Sequence, residues 1–125
     1  MPADSIIKVE TGSEIITGST RMKAGTATKM VLNMISTTTM IKLGKVYGNL
    51  MVDLMAVNEK LMDRGTRIIT QLTNTDYEFA HQKLIESDKS VKRAIIMIKK
   101  NCSSDQAELK LKKAEGFLGK VLKES

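Results

Sequence analysis

Apolar positions change rhythm along the chain, and each rhythm predicts a different element. Ser5-Ile6-Ile7-Lys8-Val9-Glu10-Thr11 is short, β-branched and partly alternating, which predicts a strand. One strand cannot form a sheet, so a second copy of the chain or a preceding N-terminal segment is expected to pair with it. Gly12 and Gly18 then bracket a loop that carries Ile15 and Ile16. A helix is predicted from about Thr20 to Lys42, with Met22, Ala27, Met30, Val31, Met34, Ile35 and Ile41 among its apolar positions. Small or hydroxyl residues fill many of the gaps, so the helix is apolar on most faces and is expected to be largely buried. Within it, Gly25 costs about 1 kcal/mol relative to Ala, which points to close approach of another backbone or a ligand. Ser36-Thr37-Thr38-Thr39 is a poor helix former whose hydroxyls can bond back one turn.

Gly44-Lys45-Val46-Tyr47-Gly48-Asn49 interrupts the pattern. Leu50, Leu54, Val57, Leu61, Gly65, Ile68 and Leu72 then recur at steps of three and four, predicting a second long helix over Leu50–Leu72 with Asn49 as a possible cap. Gly65 would admit a neighbouring helix. Three shorter helices are predicted beyond it. The first opens at Thr75-x-x-Glu78, the second follows Asp88 or Ser90, and the third opens at Asp105-x-x-Glu108. The expected fold is therefore mostly α, with one short N-terminal strand, two long helices and a C-terminal three-helix bundle. The boundary falls near Asn74, giving segments 1–73 and 74–125.

Composition narrows the function classes. Aromatic residues are 3% of the chain and there is no Trp, while nine Met take over much of the packing, in core or interface. Most of the net charge of +6 lies in the tail: residues 83–125 hold 11 Lys or Arg against 6 Asp or Glu. A basic tail can attract nucleic acid or acidic partners. With so few aromatic stacking groups, a solvated Lys-rich face is the preferred reading and no nucleic-acid partner is expected. Cys102 is the only cysteine, which excludes an intrachain disulfide and fits a reducing cytoplasm. No apolar run approaches the ~20 residues of a membrane span, and no signal peptide is visible. His81 has no Cys or His at ligand spacing, so no metal site is expected. Cys102 reads as an incidental thiol, and Tyr47 as a packing, interface or pocket-wall aromatic.

Chemistry concentrates in Gly18-Ser19-Thr20-Arg21-Met22-Lys23-Ala24-Gly25-Thr26, where the strand hands over to the long helix. A helix start offers N–H groups and the positive end of the dipole, which suits a phosphate. Ser19 and Thr20 can add hydroxyls, and Arg21 and Lys23 can neutralise charge. The same residues also suit an ordinary N-cap flanked by solvated cations. The order differs from that of a Walker loop.

Glu10 through Ala27, Leu43 through Leu54 and Asn58-Glu59-Lys60-Leu61 resemble the N-acetylmuramic acid 6-phosphate etherase family, among whose relatives is the glucokinase regulatory protein. The resemblance covers most of residues 4–72, and the basic tail is similar in position and size to that family's C-terminal helical appendage. It implies the C-terminal part of a sugar isomerase (SIS) α/β domain and a cytoplasmic homodimer built on the long helices. The implied reaction is cleavage of the lactyl ether of a sugar 6-phosphate in cell-wall recycling, by two glutamates without a cofactor or metal. The family's N-terminal half, with its phosphate loop and catalytic glutamates, has no counterpart here. No catalytic role is assigned to Glu10, Glu14 or Glu59, and Glu14 reads as a solvated or capping carboxylate. Ser19, Thr20, Arg21 and Lys23 are carried over as candidates for lining the substrate pocket. The chain alone is expected to be inactive. The alternative is a non-catalytic sugar-phosphate-sensing or protein-interaction module.

Overall fold

In a computed structural model, residues 4–123 are described. The chain divides into two units, Met1–Thr39 and Met40–Ser125. The outermost residues of the two expected segments, 1–3 and 124–125, lie outside the described range.

The first unit consists of an extended stretch, a loop and most of α1 (Met22–Lys42). The expected strand over Ser5–Thr11 does not form. Among the described residues no neighbouring strand takes up its backbone groups, and Ile6, Ile7 and Val9 stand exposed. Ile7, Lys8 and Val9 line a cleft of about 350 Å³ with Thr28, Val31 and Leu32 of α1. The helix itself forms as the spacing predicts. Its hydroxyls bond back within it: Thr26 to the Met22 carbonyl at 2.9 Å, Thr28 to Ala24 at 2.8 Å and Thr39 to Ile35 at 2.8 Å. Bonded in this way, hydroxyl side chains fit a helix that has no polar face. The expected burial is not met, because none of the 21 residues of α1 is buried. A Cβ built on Gly25 would meet nothing within 4 Å, so no backbone approaches it.

The second unit holds the core. A small antiparallel hairpin pairs β1 (Val46–Tyr47) with β2 (Leu50–Met51) across Gly48-Asn49. Residues 52–57 continue as extended chain. The Val52 amide donates to the Lys45 carbonyl at 3.1 Å, the Ala56 amide to Lys89 at 2.9 Å, and the Val91 amide to Leu54 at 3.3 Å. These bonds hold Leu50–Val57 out of helix, so α2 (Glu59–Thr73) starts nine residues later than the periodicity predicts. Asn58, not Asn49, is its N-cap and accepts from the Leu61 amide. Leu50 and Leu54 still reach the core from the extended chain, which explains why their spacing read as helical.

Four helices follow where three were expected: α3 (Tyr77–Glu86), α4 (Val91–Lys100), α5 (Ser104–Lys113) and α6 (Leu118–Lys123). The last expected helix breaks at Glu115-Gly116, where φ is 55° and 81°. Gly takes such angles without the usual steric penalty. Ser90 takes the N-cap position of α4, one of the two expected there, but the caps of α3 and α5 sit elsewhere than expected. Asp76 caps α3 in place of Thr75, and Ser103 with Gln106 forms the capping box of α5. Helices α2, α3 and α4 pack on one another, and α5 and α6 pack on α4. Ile69, Leu84, Ile95, Ile96, Leu118 and Val121 are among the fully enclosed side chains. Gly65 permits the close crossing: a Cβ there would lie 2.9 Å from Val91 Cγ2 and 3.1 Å from Leu84 Cδ2. No helix among the described residues is long and apolar enough to cross a membrane.

Candidate functional site

The loop before α1 is fastened to the helix by Glu14, in the capping role that was one of its two expected readings. Arg21 immediately precedes α1 and has no acceptor in its side chain. Glu14 supplies one from upstream. Its Oε2 accepts from the Lys23 amide at 3.0 Å and its Oε1 from the Ala24 amide at 3.1 Å. Those two bonds hold the Glu14 carboxyl below its ordinary value of 4.5, and a negative group there also complements the helix dipole. Lys23 Nζ donates to the Ser13 carbonyl at 2.9 Å, closing the same loop from the other side.

The four candidate residues are therefore brought to one place but with different commitments. Thr20 Oγ1 donates to the Ile16 carbonyl at 2.6 Å. Lys23 is engaged through both its amide and its ammonium. Arg21 reaches the neighbouring Thr20 carbonyl at 3.4 Å, and Ser19 is exposed. Arg21 and Lys29 also flank the open surface over Gly25, where hollows of about 560 and 570 Å³ share those three residues. An anion approaching this surface meets cationic side chains. The amides of Lys23 and Ala24 open to it only when Glu14 leaves.

Other singled-out residues fall in the second unit. Asp53, which the periodicity put inside a helix, instead bridges Lys45 and Lys92, with Lys92 Nζ at 3.0 Å. Lys92 is buried and also donates to the Gly116 carbonyl at 2.8 Å. Burial alone would raise the Asp53 carboxyl, but hydrogen bonds from Lys45 and Lys92 outweigh it, and the group titrates below its usual 3.8. Spacing gave no signal for this network, since Asp53 and Lys92 are far apart in sequence. His81 Nδ1 lies 3.3 Å from Thr66 Oγ1, and its ring stacks on Tyr77. The Thr66 hydroxyl already donates to the Met62 carbonyl, so the imidazole N–H is the donor in this contact. Cys102 is partly buried, its Sγ 3.9 Å from the Ile96 carbonyl. Among the described residues no group of three or more His, Cys, Asp or Glu is placed to hold a metal ion.

Sequence comparison adds what geometry alone does not. Over 119 residues the chain is 56% identical to an N-acetylmuramic acid 6-phosphate etherase of Oceanobacillus iheyensis, a match covering 95% of this chain. The chain is similar to a part of such etherases. It is 55% identical over 116 residues to the protein of that name from Bacillus mycoides, and 53% identical over the same length to one from Bacillus anthracis. In each case the chain spans only 40% of the relative's length. The resemblance read from Glu10–Ala27 and Leu43–Leu54 is thus borne out, and it extends through nearly the whole chain. No protein-family model matches the chain.

Proposed function

We propose that the chain is the C-terminal portion of an N-acetylmuramic acid 6-phosphate etherase, a lyase that removes D-lactate from a sugar 6-phosphate in cell-wall recycling. The carrying observation is 56% identity over 95% of the chain to part of an etherase. On this reading, residues 1–73 are the C-terminal portion of an SIS-like sugar-phosphate domain and 74–125 a helical appendage. Ser19, Thr20, Arg21 and Lys23 line one wall of the substrate pocket, and no residue of this chain breaks the ether bond. The protein works in the cytoplasm as a homodimer and uses no metal or organic cofactor. Its partners are the sugar 6-phosphate and a second copy, not nucleic acid. The exposed apolar side chains of α1, including Met30, Met34 and Ile35, support an interface there.

Purified chain should release no lactate from N-acetylmuramic acid 6-phosphate, and robust turnover would sink the assignment of catalysis to residues outside it. Light scattering at tens of micromolar chain should give a dimer or larger species, whereas a monomer contradicts the interface. The bare apolar helix also favours a second reading, a non-catalytic sugar-phosphate-sensing or protein-interaction module. Co-expression with the unmatched part of the O. iheyensis relative separates the two. Restored lactate release supports the etherase reading, and tight association without turnover supports the module.

A further inference from the structure

We propose that Glu14 is a positioning residue: its carboxylate closes the Gly12–Arg21 loop onto the first turn of α1 and so fixes where Ser19, Thr20 and Arg21 stand. The inference rests on the reading of this loop as a wall of the sugar-phosphate pocket. The physical need is plain at the helix start. The first-turn amides of α1 require acceptors, and the Arg21 side chain offers none. Glu14 meets two adjacent amides with two different oxygens, at 3.0 and 3.1 Å, which defines an orientation as well as a distance. Lys23 Nζ on the Ser13 carbonyl adds a second tie between the same two segments. Inside the closed loop, Thr20 Oγ1 is tied to the Ile16 carbonyl. Gly18, at φ 136°, lets the chain turn back where an L side chain would be strained.

This arrangement changes what the pocket wall presents. With Glu14 on the Lys23 and Ala24 amides and the Thr20 hydroxyl donating to the Ile16 carbonyl, an anionic ligand is met by the side chains of Ser19 and Arg21 and not by those two helix amides. Glu14 then acts through these residues. It does not act on the reacting atoms. Its substitution disturbs recognition without removing any group that contacts the ligand.

The test uses the full chain, labelled with nitrogen-15, as wild type, Glu14→Ala and Glu14→Gln. Loss of the clamp in Glu14→Ala should speed hydrogen exchange at the Lys23 and Ala24 amides by roughly tenfold. It should also shift the Ser19, Thr20 and Arg21 resonances while Ile69 and Ile95 stay in place. Glu14→Gln keeps one acceptor oxygen and should recover part of the protection. Unchanged exchange, or unmoved loop resonances, overturns the proposal. Titration with glucose 6-phosphate supplies the second readout. Affinity several-fold weaker in Glu14→Ala and partly restored in Glu14→Gln supports positioning, and equal affinity in all three overturns it. A wild type silent at millimolar glucose 6-phosphate overturns the pocket reading, while the exchange rates decide separately whether Glu14 holds the loop.

Discussion

Helices α1 and α2 are both rich in apolar residues, yet none of α1 is buried whereas α2 buries Gly65, Thr66, Ile68, Ile69 and Thr73. The difference lies in how the apolar residues are arranged. On α2 they fall along one side, with Lys60, Arg64, Arg67 and Gln71 elsewhere, so a single face can pack on α3 and α4. On α1 they spread around the axis among Thr, Ser and Ala, so no one face could hide them. A helix of the first kind finds its core in the neighbouring turns of its own chain. A helix of the second kind needs cover on several sides, and that requirement is what the proposed second copy or remaining etherase portion would meet.

The contrast can be broken by substitution. The largest effect is expected for Ile95→Ala, fully enclosed on α4, which should cost about 2–5 kcal/mol in chemical denaturation. A loss comparable to that of a surface change would show that the core is not where its burial puts it. Gly65→Val should cost about 1–3 kcal/mol, because the new methyls meet Val91 and Leu84 side chains already in contact range. Asp53→Asn leaves the buried Lys92 ammonium without its carboxylate partner. Since Asp53 is itself more than a third exposed, solvent screening reduces the expected loss to about 1–2 kcal/mol.

The same carboxylate gives a pH signature. Its folded value is lowered, so its contribution is fully present above the unfolded value near 3.8 and is lost as pH falls through the folded value. Asp53→Asn should flatten this part of the acid limb. An unaltered acid limb would assign the acid sensitivity to other carboxylates. The smallest effect is expected on α1: Met34→Ala, at a position 58% exposed, should stay within about 0.5 kcal/mol in dilute solution. A loss that grows with chain concentration would sharpen the comparison by placing Met34 between copies.

Much of this was legible from residue order. The span of α1, the helical character of the tail and the close crossing at Gly65 followed from periodicity and one small residue. What periodicity misread were places where tertiary hydrogen bonds overrule it. Leu50, Leu54 and Val57 keep helical spacing, yet backbone bonds to Lys45, Lys89 and Val91 hold that stretch extended. The strand over Ser5–Thr11 carries a sound local signal but has no neighbour among the described residues. At the site, the sequence shows the hydroxyls and cations directly, and Glu14 reads as solvated or capping. Its actual partners, the amides of Lys23 and Ala24, were not legible, because the contact depends on the path of a glycine-punctuated loop.

The buried Lys92 ammonium has a practical consequence. An ammonium packed between Asp53 and the Gly116 carbonyl is shielded from amine-reactive reagents that would reach an exposed lysine such as Lys60 at once. Reductive methylation followed by mass spectrometry would then find Lys92 unmodified while the second unit is folded and modified once it opens. One lysine thereby serves as a built-in chemical gauge of whether that unit is intact.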